Sequence, residues 1–167
     1  MKYKIFLSSV QKEFKEERSA LRSYIYGDAL LSRFFEVFLF EDLPASDRRA
    51  DEVYLEEVQS SDIYLGLFGG RYGAVDGEGM SATHKEFLLA SQSGKPRFIF
   101  VKGDTDADRD PKMLKLLRLA GEQLIRRRFN TTVELHSAVY ASLVQYLLGS
   151  GRILTGPFDA APCPRAV

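Results

Sequence analysis

The sequence predicts an α/β fold: a three-layer arrangement around a parallel five-stranded sheet. Three features predict it. Short apolar runs with β-branched and aromatic residues recur five times along the 167 residues. Each run is followed by a stretch with apolar residues at helical spacing. The connections carry the Gly, Pro, Ser and Asp residues that end strands and start helices. Strands alternating with helices pair in parallel and are covered on both faces.

The first strand is Ile5-Phe6-Leu7, ending at Ser8-Ser9. Ser8-Ser9-Val10-Gln11 fits the S-x-x-Q capping box and predicts a helix from Val10 to about Tyr26. Phe14, Leu21, Tyr24 and Ile25 form its apolar stripe, and Gly27 ends it. Phe35 to Phe40 reads as the second strand. It stops before Pro44, which has no N–H for a ladder. A second helix follows from about Ala50 to Gln59, with Tyr54, Leu55 and Val58 turned inward.

Asp62 to Phe68 is the third strand. Gly69 to Ser81 is a long loop with glycine at 69, 70, 73, 77 and 79, and a third helix runs from about Ala82 to Ser93, closing at Gly94-Lys95-Pro96. Arg97 to Val101 is the fourth strand. Pro111 suits the first turn of a fourth helix, which ends near Gly121. Leu124 to Phe129 is the fifth strand, and its three arginines (126–128) suit a sheet edge. Thr131-Thr132-Val133-Glu134 is another capping box and opens a last helix to about Leu148.

Right-handed crossovers and five strands favour the flavodoxin-like order 2-1-3-4-5. Ligands on such sheets sit beyond the carboxyl ends of the strands, at the switch point. Four loops then face one crevice: Ser8-Ser9, Asp42 to Asp47, Gly69 to Ser81 and Lys102 to Asp110. Residues 1–148 read as one domain. Residues 149–167, with Pro157, Pro162 and Pro164, read as a linker to a further C-terminal region.

Composition removes several classes. Lys plus Arg and Asp plus Glu both number 23, which argues against dedicated nucleic-acid binding by this domain. The lone Cys163 cannot close a disulfide within the chain. Two histidines and no C-x-x-C leave no recognisable metal site. The amino-terminal apolar run is too short for a signal peptide, and no segment has the length to span a bilayer. The expected address is the cytoplasm, and no cofactor is called for.

Glu86 is the carboxylate of most interest, about one turn into the third helix and beside the crevice. A helix N-terminus favours an ionised carboxylate by about 0.3–1 kcal/mol. An anionic carboxylate near an anomeric carbon can attack it or stabilise an oxocarbenium-like transition state. Thr83-His84-Lys85-Glu86 is also a capping box, and the local pattern alone favours capping. Tyr72 can stack on a base or pack the loop, and Asp42 can bind a ribose hydroxyl or cap the second helix. His84 reads as a surface helix residue with no partner and His136 as structural or exposed. Gly77 to Ala82 formally matches G-x-G-x-x-A, but it trails the third strand by a long loop and is not a Rossmann fingerprint.

The stretches Lys4 to Phe14, Phe35 to Asp47 and Asp62 to Gly73 resemble a bacterial domain family of unassigned function. Members sit at the N-terminus of longer proteins, often ahead of a Schlafen/AlbA-type domain. The resemblance runs over about residues 3 to 165. Glu86, Ala90 and Gly94-Lys95-Pro96 are similar to the E-x3-A-x3-G-K-P pattern of nucleoside 2-deoxyribosyltransferases, whose glutamate takes the sugar from the base. Ile5 to Ser9, Asp42-Leu43-Pro44, and Gly69 to Tyr72 with Glu86 resemble Toll/interleukin-1 receptor (TIR) domains, some of which cleave the nicotinamide–ribose bond of NAD. The usual W-C pair before the glutamate is absent, as is a clear D-x-G-T.

These resemblances imply a TIR-like, nucleotide-binding domain that cleaves an N-glycosidic bond, with NAD the first candidate substrate and Glu86 acting on the anomeric carbon. Ser8, Ser9 and Asp42 are expected on the ribose or phosphate side, Gly69, Gly70 and Tyr72 on the base side, and Ser81 beside them. The alternative is a non-catalytic module that senses a nucleotide or assembles with its own copies and signals to the C-terminal region.

Overall fold

The computed structural model describes residues 1–156; the Pro157–Pro164 part of the expected linker, with Cys163, lies outside them. Five strands form one sheet: β1 (Tyr3–Ser9), β2 (Phe35–Phe38), β3 (Ile63–Phe68), β4 (Arg97–Lys102) and β5 (Arg126–Phe129). Their order is β2-β1-β3-β4-β5, and every pairing is parallel. The helices are α1 (Gln11–Gly27), α2 (Leu31–Phe34), α3 (Ala50–Ser60), α4 (Ala82–Gln92), α5 (Pro111–Gln123) and α6 (Thr132–Gly149). The order and the alternation are those expected from the sequence.

Period-two alternation splits the core. Ile5, Leu7, Ile63, Leu65 and Leu67 face one side and pack on Phe14, Leu21 and Ile25 of α1 and Leu135, Val139 and Leu143 of α6. Phe6, Tyr64 and Phe68 face the other and pack on Val58 of α3, Phe87 and Ala90 of α4, and Met113 and Leu117 of α5. Both faces of the sheet are therefore apolar, which is why the central strands read as continuous apolar runs.

Several elements depart from the sequence reading. The α1 cap is Val10, with no side-chain cap bond, because β1 runs on to Ser9 and commits the serine hydroxyls elsewhere. Asp28 Oδ1 accepts the amides of Leu30 and Leu31 and starts the one-turn α2, which has no periodicity to announce it. β2 ends at Phe38, and residues Phe40–Asp42 form a 3₁₀ turn rather than more strand. The pairing with β1 also ends there, at Phe6↔Phe38. α5 continues to Gln123, so β5 starts at Arg126.

The sheet edges are managed by side chains. At the β2 edge the Tyr26 hydroxyl accepts the Val37 amide at 3.2 Å and donates to its carbonyl at 3.3 Å. At the β5 edge Arg126 donates to Leu117 O, and Arg128 donates to Asp106 and to Gly103 O. Two of the three arginines are thus engaged within the fold. Arg128 and Arg109 hydrogen bonds hold the Asp106 carboxyl down to about 2.

The E-x3-A-x3-G-K-P segment also has a structural role. Gly94 adopts a positive φ of 64°, where a side chain would be strained. Lys95 then reaches the α3 C-terminus, donating to the carbonyls of Gln59 and Ser61. Ala90 is fully buried and keeps α4 close to the sheet.

Gly66, in the middle of β3, leaves room for an aromatic ring. A Cβ there would stand 3.0 Å from Ile99 Cδ1, 3.0 Å from Tyr64 Cε1 and 3.1 Å from Phe68 Cε1. The Tyr64 ring therefore lies across position 66. Gly66→Ala is expected to destabilise the fold by about 1–3 kcal/mol, since fully buried rings must shift, and urea denaturation measures it.

Candidate functional site

A cavity of about 660 Å³ opens where β1 and β3 end, at the point where the strand order reverses. Its wall includes Ser9, Val10 and Arg18 after and behind β1, Phe40 and Tyr54 on one flank, Gly70 to Ala74 on the other, and Thr83 and Glu86 of α4. Asp110, the N-cap of α5, closes one corner.

Glu86 is brought there by helix phase. Thr83, Glu86, Phe87 and Ala90 are the buried face of α4. The carboxylate thus occupies a position in an otherwise inward-facing stripe. The capping reading is overturned: the cap of α4 is Ser81, whose hydroxyl accepts the His84 amide at 3.3 Å, and Thr83 lies within the helix. Glu86, only 8 % exposed, instead accepts the Ser8 hydroxyl. Burial pushes its pKa up to about 7, against the Ser8 hydrogen bond and the Arg18 charge, which both favour the carboxylate. A carboxyl poised near neutrality in a cavity wall is a chemical asset, because both of its protonation states are accessible.

Arg18 is the residue the sequence reading missed. It is 2 % exposed, at the inward phase of α1 between Phe14 and Leu21. Its guanidinium donates to Leu7 O at 2.9 Å and Ser9 Oγ at 3.0 Å, and forks onto Glu41 at 2.8 and 2.7 Å. It therefore fixes the end of β1 and the 3₁₀ turn together, with a cation facing the cavity. A charged residue inside an apolar helical stripe was the available signal.

The glycine-rich loop is held rather than loose. The Glu13 carboxylate accepts the amides of Gly70 at 2.7 Å and Arg71 at 3.1 Å. Gly70 O accepts the Asp110 amide at 2.8 Å. Further along, Asp76 Oδ1 accepts the Glu78 and Met80 amides, and Asp76 pairs with Lys85. A side chain at Gly69 would displace the Glu13 carboxylate, since a Cβ would lie 2.3 Å from Glu13 Oε1.

The remaining expected residues divide. Ser9, Gly70, Tyr72 and Ser81 line the cavity. Ser8 stands behind the wall and acts on Glu86. Gly69 serves the Glu13 contact and does not line the cavity. Asp42 neither lines it nor caps α3: it pairs with Arg22 of α1, on the outer side of the 3₁₀ turn. Tyr72 is buried, and its hydroxyl shares a 2.8 Å hydrogen bond with His84 Nδ1, so His84 does have a partner. Burial lowers the His84 pKa. His136 stacks on Tyr24 at 4.4 Å, outside the site. Among the described residues no group of three or more His, Cys, Asp and Glu could hold a metal ion, and no helix is long and apolar enough to cross a membrane.

Glu86 holds its proton more tightly in the folded than in the unfolded chain, so its ionisation opposes folding. That penalty is absent below its ordinary value of 4.5, grows as pH rises, and is complete above about 7. Between about pH 4 and about pH 8, native protein should therefore lose about 3 kcal/mol of stability relative to Glu86→Gln, measured by denaturation across pH. Glu13→Ala should speed hydrogen exchange of the Gly70 and Arg71 amides by about tenfold to a hundredfold, through loss of two charge-assisted bonds.

No curated protein matches the sequence at a significant level. Among solved structures, the CMP N-glycosidase BcmB of Clostridium botulinum superposes with a TM-score of 0.54 at 13 % identity, over 83 % of this chain and 98 % of that one. Oxidised flavodoxin 1 of Bacillus cereus superposes with a TM-score of 0.45 at 15 % identity, over 88 % and 99 %. At such identities the likeness is one of fold. Residues 4–144 match the family described as a domain of unknown function, DUF4062, and the chain belongs to that family.

Proposed function

We propose that this domain binds a nucleotide in the cavity at the sheet switch point and cleaves its N-glycosidic bond through Glu86. The observation that carries the reading is the Glu86 carboxyl itself. It is buried in the cavity wall, held by Ser8, and poised near neutrality. The shared fold with a CMP N-glycosidase supports it.

The wall offers complementary groups for each part of such a ligand. Phe40 and Tyr54 present aromatic surface for a base. Lys12 and Arg71 line the cavity, and neither has an ion-pair partner among the described residues. The first turn of α1 adds amides with no side-chain cap. These cationic groups favour a ligand with a phosphate over an uncharged nucleoside. NAD and nucleoside monophosphates both fit this description.

In the first step the ionised Glu86 attacks the anomeric carbon. A carbon–oxygen bond to the carboxylate forms as the carbon–nitrogen bond breaks, and the electron pair leaves with the base. Water then attacks the same carbon, frees the carboxylate and leaves the sugar with a hydroxyl; its second proton goes to the departed base, or to solvent where the base leaves as a neutral pyridine. Only the carboxylate can attack. Activity should therefore rise with pH through about 7, the value to which burial has raised Glu86.

Purified protein incubated with NAD, CMP and other nucleotides should release free base, measured chromatographically. Glu86→Gln should lower the rate by at least about a hundredfold. Equal release by both proteins would rule the reading out. Ligand binding without release in either protein would favour a sensing module.

A further inference from the structure

One buried group beside the site has no part in bond cleavage by Glu86. The Tyr64 hydroxyl is wholly enclosed, and no partner stands at hydrogen-bonding distance and angle from it. An enclosed unpaired hydroxyl is unfavourable and calls for a physical explanation. Its ring is fixed. It stacks on Phe6 at 6.4 Å, meets Phe87 edge-on at 6.1 Å, and lies across Gly66, the only residue type that leaves it room. That path carries the hydroxyl along β3 toward Ser8, which lies opposite Gly66 in the β1–β3 ladder and donates to Glu86.

Ser8 has one hydrogen and two lone pairs. The hydrogen is committed to Glu86, which leaves its lone pairs as acceptors. The Tyr64 hydroxyl is a donor in want of an acceptor. Building on the assignment of Glu86 as the reacting group, we infer that Tyr64 is a positioning residue. As Glu86 ionises, the Tyr64 hydroxyl donates to Ser8 Oγ, and the resulting Tyr64–Ser8–Glu86 chain strengthens the bond that holds the carboxylate in the cavity wall. Hydrogen bonds in series polarise one another, most effectively out of water.

The charged surroundings are compatible with this. Ser8 of β1 and Arg18 of α1 act on Glu86 directly, and Tyr54 of α3 faces it from the cavity flank. Arg97 of β4 is the cation that acts on Tyr64. Burial, and then the Glu86 charge, hold the Tyr64 pKa well above its ordinary value against the opposing pull of Ser8 and Arg97, so the phenol keeps its hydrogen and remains a donor.

The test is a titration of Glu86 that needs no turnover. Protein labelled with carbon-13 at the glutamate δ-carboxyl is followed by NMR across pH, with the Glu86 signal assigned by its loss in Glu86→Gln. Tyr64→Phe keeps the ring and removes only the unpaired hydroxyl, so its Tm should equal or exceed that of the native protein. Its Glu86 midpoint should rise by about one pH unit. Ser8→Ala should also raise the midpoint, and adding Tyr64→Phe to it should raise it no further, because the relay is already cut. Where base release is measurable, the acid limb of kcat/KM should move up with the midpoint, so activity below it falls about tenfold. A midpoint in Tyr64→Phe equal to the native one overturns the inference, even if Glu86 proves catalytic. A raised midpoint in a protein that releases no base upholds the inference and removes only the catalytic reading.

Discussion

The site depends on keeping one carboxyl out of water at the place where the strand order reverses. Desolvation disfavours the charged form of Glu86, while the Ser8 hydroxyl and the nearby Arg18 cation favour it. The balance leaves the group near neutrality. Neither contribution is local. Ser8 lies near the end of β1, Arg18 projects from α1, and Glu86 comes from α4, so the balance exists only once three elements have docked on the same end of the sheet.

Around that carboxyl the fold commits other charges to fixed tasks. Arg18 ties the end of β1 to the 3₁₀ turn through Glu41. Burial opposes the Glu41 charge, but the guanidinium more than offsets it and holds that carboxyl below its ordinary range. Glu13 fastens the start of the glycine-rich loop by its amides. A long loop of glycines carries a large ordering entropy, and such ties allow it to form a wall. Two of the cations that have no ion-pair partner among the described residues, Lys12 and Arg71, line the cavity, where a ligand could use them.

The architecture was legible because the sheet is apolar on both faces. Apolar runs such as Ile63 to Phe68, separated by helical periodicity, leave few topologies open. Element ends were less legible. Ser8-x-x-Gln11 and Thr83-x-x-Glu86 both satisfy the capping pattern, but in each case the side chain that would cap is engaged or placed elsewhere. Thr131 and Glu134 do form the expected box, on an exposed helix start where nothing competes for them. Capping patterns were thus reliable at the surface and misleading beside the cavity, where partners far along the chain claim the same atoms.

The sequence by itself determined the strand–helix alternation, the parallel order and the crevice toward which Ser9, Gly70, Tyr72 and Glu86 converge, because these follow from period and connectivity. Only the tertiary structure decided what the polar side chains around the cavity do. It turned Asp42 out to Arg22, gave Gly69 to Glu13, placed Arg18 behind Ser9, and laid the Tyr64 ring over Gly66, opposite Ser8. Hydrogen bonds and desolvation are short-range in space and blind to distance along the chain, so a local pattern cannot assign those made between elements far apart in sequence.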